Sequence, residues 1–132
     1  MRAEQALKAY VDAVASANVD AARALFAPRA RLEMPLLGQT LFGQEEIRAG
    51  LERIAHVTLE CRYELRRLKS TDTLALAEGL LEARLRNGGE VRRSMALVVV
   101  MAAEGIERLS SYLDTFDHRL WSDGLITARP LA

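Results

Sequence analysis

From the first residues, apolar side chains recur at helical spacing. Leu7, Tyr10, Val11 and Val14 form one stripe while Glu4, Lys8 and Asp12 lie off it, which predicts an amphipathic helix over 3 to 17, ending near Asn18. A second, shorter helix is predicted at about 20 to 26. Asp20 can accept from the free amides of its first turn, Ala22, Leu25 and Phe26 supply a buried side, and Pro28, which has no amide hydrogen, stops it. The apolar segment from Ala30 to Leu37, bounded by Pro28 and Gly38, reads as a strand of three to five residues, and Gly38 to Gly43 as a loop. A third helix begins near Gln44: Glu45 and Glu46 suit the positive end of its dipole, and Ile47, Leu51 and Ile54 share one face.

Beyond His56 the period becomes two. Val57, Leu59, Cys61, Tyr63 and Leu65 alternate with Thr58, Glu60, Arg62 and Glu64, a half-buried strand. Another runs from Leu74 to Arg86, with Ala75, Ala77, Gly79, Leu81, Ala83 and Leu85 on one face. A row of alanine and glycine cannot fill a core by itself, so either another element comes close or space is left for a ligand. Asn87-Gly88-Gly89 is a hairpin turn. The strand from Glu90 to Met101 that follows ends in MALVVVM, a run suited to burial on both faces. In the last strand, RLSSYLDTFDHRLW, Tyr112, Asp114, Phe116 and His118 share one face, and Leu109, Ser111, Leu113 and Thr115 the other. Three helices followed by long antiparallel strands predict an α+β domain, with the helices on one face of a strongly curved sheet.

At 132 residues the chain fits one domain with one core. Its 18 basic and 18 acidic side chains cancel, which leaves no net field for nucleic acid or an anionic membrane. No apolar run reaches the roughly 20 residues of a membrane span, and the N-terminus does not have the pattern of a signal peptide. These features predict a cytoplasmic protein. Cys61 is the only cysteine, so neither an internal disulfide nor a cysteine-based zinc site can form, and its apolar neighbours predict a packed thiol. With two histidines and no compact carboxylate cluster, no metal or other cofactor is expected. The charged residues alternate, as in Glu60, Arg62, Glu64 and Arg66, which reads as cross-strand pairing. Leu76, Leu80 and part of MALVVVM would lie beside them, which predicts a homodimer through the outer sheet face.

The phrases LKAYVDAVASANVDAARALFA, RARLEMPLLG, FGQEEIRAGLERI and GIERLSSYLDTFD resemble the nuclear transport factor 2-like superfamily, over about residues 1 to 120. Its members include ketosteroid isomerases, limonene epoxide hydrolases and SnoaL-like polyketide cyclases. The resemblance implies a cone-shaped pocket under the helices. Tyr10 matches the first-helix tyrosine of the isomerases, but Met34 and Ala96 stand where their two catalytic aspartates would be. Asp114 matches an aspartate of the epoxide hydrolases, whose arginine and partner carboxylate are replaced by Gly79 and Leu81. A SnoaL-like role, in which a single acid or base suffices, is the enzymatic reading that these replacements leave open.

The catalytic candidates are therefore Asp114, as acid or base, and Tyr10, as donor. Met34, Ala77, Gly79, Leu81, Ala96, Tyr112 and Phe116 are the candidate walls of a pocket for a small hydrophobic molecule. Two readings of Asp114 fit the sequence: a carboxyl whose pKa is raised by desolvation, or a hydrogen-bonded structural carboxylate. The corresponding functions are an isomerase or cyclase, and a non-catalytic binding or accessory domain.

Overall fold

Leu7, Tyr10 and Val11 do share the buried side of a helix, α1 (Ala3–Ala15), in the computed structural model, which describes residues 1–113 and 129–130. The Ser16 hydroxyl donates back to the Asp12 carbonyl at 2.8 Å where α1 ends. The next helix, α2 (Val19–Ala24), is capped by Asn18, whose Oδ1 accepts from the Ala21 amide at 3.1 Å. The cap is thus Asn18 and not Asp20. Asp20 instead accepts from Arg48 Nε at 3.2 Å and ties α2 to α3 (Gly43–Val57).

Strand β1 (Phe26–Met34) starts earlier and runs longer than the sequence pattern suggests. Pro28 lies inside it, within the irregular stretch between Phe26 and Arg31 where the ladder to the neighbouring strand slips, so its missing amide breaks no regular pairing. A single 3₁₀ turn, Pro35–Leu37, and Gly38 at φ +63° reverse the chain into β2 (Gln39–Phe42), which pairs antiparallel with β1. The expected loop over 38 to 43 is therefore mostly a short strand.

The remaining strands are β3 (Thr58–Ser70), β4 (Leu74–Leu85), β5 (Glu90–Ala102), β6 (Gly105–Leu113) and β7 (Arg129–Pro130). Their order in the sheet is β3-β4-β5-β6-β1-β2-β7. Every pairing is antiparallel except β1 with β6, which is parallel. A buried polar contact secures that junction: Ser110 Oγ donates to Glu33 Oε1 at 2.9 Å, and Arg108 Nη1 donates to Ser110 Oγ at 3.0 Å. The architecture is α+β, with three helices on a curled, open, mixed sheet.

Helix α1 lies across β3, β4 and β5, and α3 across β1, β2 and β3. Between them and the sheet, Leu7, Phe26, Leu32, Ile47, Leu97, Val99, Ile106 and Leu109 are buried almost completely, each contributing about 1.5–3 kcal/mol relative to exposure. Ala75 and Ala77 are small because α1 passes close over them, and Ala3 and Ala6 on the helix are equally buried. On β5 only the inward face, Val91, Met95, Leu97 and Val99, is fully buried. Ala96, Val98 and Val100 are half-buried on the outer face, so the apolar run is not covered equally on both sides.

Candidate functional site

An apolar cavity of about 100 Å³ lies between the helices and the concave face of the sheet. Helix α1 brings Tyr10, Ala13 and Val14 to it, β1 brings Leu32 and Met34, and α3 brings Leu51 and Ile54. The sheet supplies Cys61 and Tyr63 from β3, Leu81 and Ala83 from β4, Met95 from β5, and Ser111 and Leu113 from β6. Bulges shape the β3 wall: its ladder to β4 slips between Thr58 and Glu60 and again between Leu65 and Arg67. Leu59, unpaired in the first bulge, reaches the cavity although it is half exposed.

The polar groups around the cavity divide into engaged and free. The Thr58 hydroxyl donates to the Ile54 carbonyl at 2.7 Å, the Asn18 side chain caps α2, and Glu60 accepts from Arg84 at 2.9 Å. Tyr10, Cys61, Tyr63 and Ser111 have no hydrogen-bond partner for their side chains among the described residues. The Tyr10 ring packs edge-on against Phe26, centroids 6.0 Å apart at 84°, and only 5% of the residue is exposed.

Burial, and then the nearby Cys61, raise the pKa of Tyr10. Tyr63 is raised well above an ordinary phenol by burial first, then by Tyr10 and Cys61. Burial pushes the Cys61 thiol up to about 11. All three groups therefore keep their protons at neutral pH. The wall they form offers hydrogen bonds to an oxygen acceptor, and it offers no thiolate for nucleophilic attack.

The nine residues singled out from the sequence fall in several places. Tyr10, Met34 and Leu81 line the cavity. Ala77 shares their face of the sheet but is sealed beneath α1, and Gly79 is pressed against the backbone of β3. Neither Ala96 nor Tyr112 lines it: the two are cross-strand partners, Ala96 is half-buried, and Tyr112 is 37% exposed. The face of β6 that meets the cavity carries Ser111 and Leu113. The ladder slips near Glu107, so Ile106 and Leu109 both point inward three residues apart, and this sets the phase of the residues that follow. Asp114 and Phe116 lie outside the described residues, as does His118.

Cys61, Tyr63, Met95 and Ser111 are among the cavity residues not singled out beforehand. The first two stand on the apolar phase of VTLECRYEL, which marked them for burial but gave no sign that the burial borders a void. Among the described residues, no group of three His, Cys, Asp or Glu is arranged to hold a metal ion, and no helix is long and apolar enough to cross a membrane.

No curated protein matches the chain. Solved structures do. A hypothetical protein with a ketosteroid isomerase-like fold from Catenulispora acidiphila, in complex with trimethylamine, superposes with a TM-score of 0.75 at 17% identity, covering 96% of this chain and 94% of that one. A protein assigned as a SnoaL-like polyketide cyclase from Shewanella denitrificans gives 0.78 at 13% identity, covering 94% and 96%. An LEH-like epoxide hydrolase from M. tuberculosis gives 0.74 at 16% identity, covering 93% and 91%. At such identities the likeness is one of fold. The model of the SnoaL-like domain matches residues 7–117, most of the 132-residue sequence, and with the three helices over a curled sheet it establishes that the chain belongs to the SnoaL-like domain family.

Proposed function

We propose that the protein binds a small hydrophobic substrate in the cavity and isomerises or cyclises it by proton transfer, with Asp114 as general acid and base. The observation that carries this reading is the pair of protonated phenols, Tyr10 and Tyr63, with no partner among the described residues at the wall of an otherwise apolar cavity. A carbonyl oxygen accepting from Tyr10 is polarised. When the Asp114 carboxylate removes a proton from the adjacent carbon, the electron pair of the broken C–H bond moves into the enolate, whose oxygen the phenol stabilises. Return of the proton to another carbon isomerises the substrate, and attack of the enolate carbon on a second carbonyl closes a ring, the alkoxide so formed taking the proton back from Asp114. Asp114 is the position at which the sequence resembles the aspartate of the epoxide hydrolases. The polyketide cyclase assignment of a structural neighbour supports the same class of chemistry.

Exchange of the α-protons of 2-cyclohexenone in D₂O, with the wild-type protein and with Asp114→Asn, tests the proposal. Exchange that depends on Asp114 is the expected result, and equal exchange with the variant would remove Asp114 from the role.

One observation favours a second reading. Glu60, the charged residue at the cavity among those described, is already paired with Arg84. A pocket that binds a ligand without transforming it needs no more than that, and ligand binding with no exchange would identify it.

The proposal includes a homodimer through the outer sheet face. Leu74, Leu76 and Tyr112 are 39%, 46% and 37% exposed there, beside the half-buried Val98, Val100 and Ala96. Around them the charges are matched within the chain, as in Arg62 with Glu82 and Arg67 with Glu78. A neutral face with an apolar centre suits a second copy of itself, since two such faces meet without like-charge repulsion.

A further inference from the structure

The acid-base reading leaves open how large the substrate is and whether it carries a charge, and the cavity bears on both. Its volume of about 100 Å³ is well under the roughly 300–1,000 Å³ of pockets that enclose drug-sized ligands, and near the roughly 150 Å³ at which an apolar protein cavity takes benzene. Val14, Leu32, Met34, Ile54, Leu81 and Met95 give it aliphatic and thioether walls. Against these stand Tyr10, Tyr63 and Cys61, which are close enough to bear on one another's ionisation. Tyr10 is 95% buried, and its hydroxyl has no partner among the described residues. That hydroxyl is open to an acceptor placed in the cavity.

We infer that the cavity takes an uncharged molecule of about one six-membered ring carrying a single acceptor oxygen, a cyclic ketone or enone in class. Its oxygen lies toward Tyr10 and Tyr63 and its ring among the aliphatic side chains. The inference rests on the cavity being the substrate site, and because such a molecule has no second carbonyl it keeps the isomerisation and drops the ring closure. An ammonium or carboxylate placed there would lose its hydration and find no free counter-charge among the described lining residues. A tetracyclic steroid or polyketide is larger than the space between the described lining residues and could enter only in part.

Titration of isotopically labelled protein with 2-cyclohexenone, read by methyl NMR shifts and by the infrared carbonyl stretch of the bound ketone, tests this. Saturable shifts at Ile54, Leu81 and Met95 are expected, with a carbonyl stretch lowered from its value in hexane. Tyr10→Phe should weaken cyclohexenone about five- to tenfold and lose much of the infrared shift, while toluene binds wild type and variant alike. Tyr63→Phe serves if Tyr10→Phe does not fold, and the wild-type infrared shift needs no variant. Benzoate and testosterone should produce no saturable shift. The inference is overturned by absent cyclohexenone binding, by a bound carbonyl whose stretch is unmoved, or by benzoate or testosterone binding more tightly than cyclohexenone. Failure of the catalytic reading looks different: cyclohexenone bound as described with no α-proton exchange leaves the ligand class standing and removes the chemistry.

Discussion

Gly79 and Glu64 meet across the β3–β4 ladder with no room for a side chain between them: a β-carbon on Gly79 falls on the carbonyl oxygen of Glu64 and within 3.1 Å of the Leu65 Cα. The obstruction is backbone, next to the bulge between Leu65 and Arg67, so no rotamer change relieves it. Gly79→Ala is expected to destabilise the protein by about 2 kcal/mol or more, measured as a lower urea midpoint. A midpoint equal to wild type would show that β3 moves aside freely.

Leu81 is 4% exposed and forms part of the cavity wall. Leu81→Ala removes packing and enlarges an existing void, at an expected cost of about 2–5 kcal/mol. The same variant should extend binding from single-ring ketones to bicyclic ones such as tetralone. Calorimetric unfolding and ligand titration on one preparation would check both effects.

Alkaline pH acts on the cavity groups in one direction. The Cys61 thiol has a folded-state pKa of about 11 against the ordinary 9.0, and burial raises both phenols above their ordinary 10. Above pH 9 the unfolded chain begins to release protons that the folded chain still holds, so stability falls as pH rises. The melting temperature should therefore decline from pH 9 to 11. In Cys61→Ser the decline should start later, near the phenol range. Alkylation of native Cys61 by iodoacetamide should stay slow at pH 8, and fast alkylation there would contradict the raised pKa.

Substitution of Leu76 on the outer sheet face tests the proposed pairing of two copies. Sedimentation equilibrium should give a dimer for the wild type and a monomer for Leu76→Glu, with the helical circular dichroism signal retained. A monomeric wild type at 100 μM would dispose of the interface.

Most of the fold was legible in the sequence because its longest elements have clean periods. Leu7, Tyr10 and Val11 repeat at helical spacing, and Cys61, Tyr63 and Leu65 alternate with charges. Strand β2 was not legible: four residues carry too little periodicity, and its place depends on Gly38 turning the chain back onto β1. The parallel partnership of β1 with β6 has no local signature at all.

The candidate site was legible in part. Tyr10 and Leu81 could be placed at the cavity because each stands on a regular phase, and Met34 because it precedes Pro35, where the resemblance puts an aspartate of the isomerases. Ala77 and Gly79 are small for a different reason from the one that a pocket suggests, namely the closeness of α1 and of the β3 backbone. For Tyr112 the alternation along β6 was legible, with Leu109, Ser111 and Leu113 on one face and Tyr112 on the other, but the face with the aromatics and Asp114 was taken as the inner one, whereas Ser111 and Leu113 meet the cavity.

The parallel β1–β6 junction also sets an order of events during synthesis. Glu33 and Ser110, hydrogen-bonded across it, are 77 residues apart in the chain. Strands β3 to β6 form a meander of neighbours that can zip up locally, whereas β1 leaves the ribosome long before its partner on that side exists. Leu32 and Met34 on β1 and Ser111 and Leu113 on β6 face the same cavity, so the cavity comes into being only when that late ladder closes. A ligand cannot assist the earlier steps. It can act only on the last one, by slowing the reopening of the junction, and its presence in the cell would appear as a longer lifetime of the finished protein and not as faster folding.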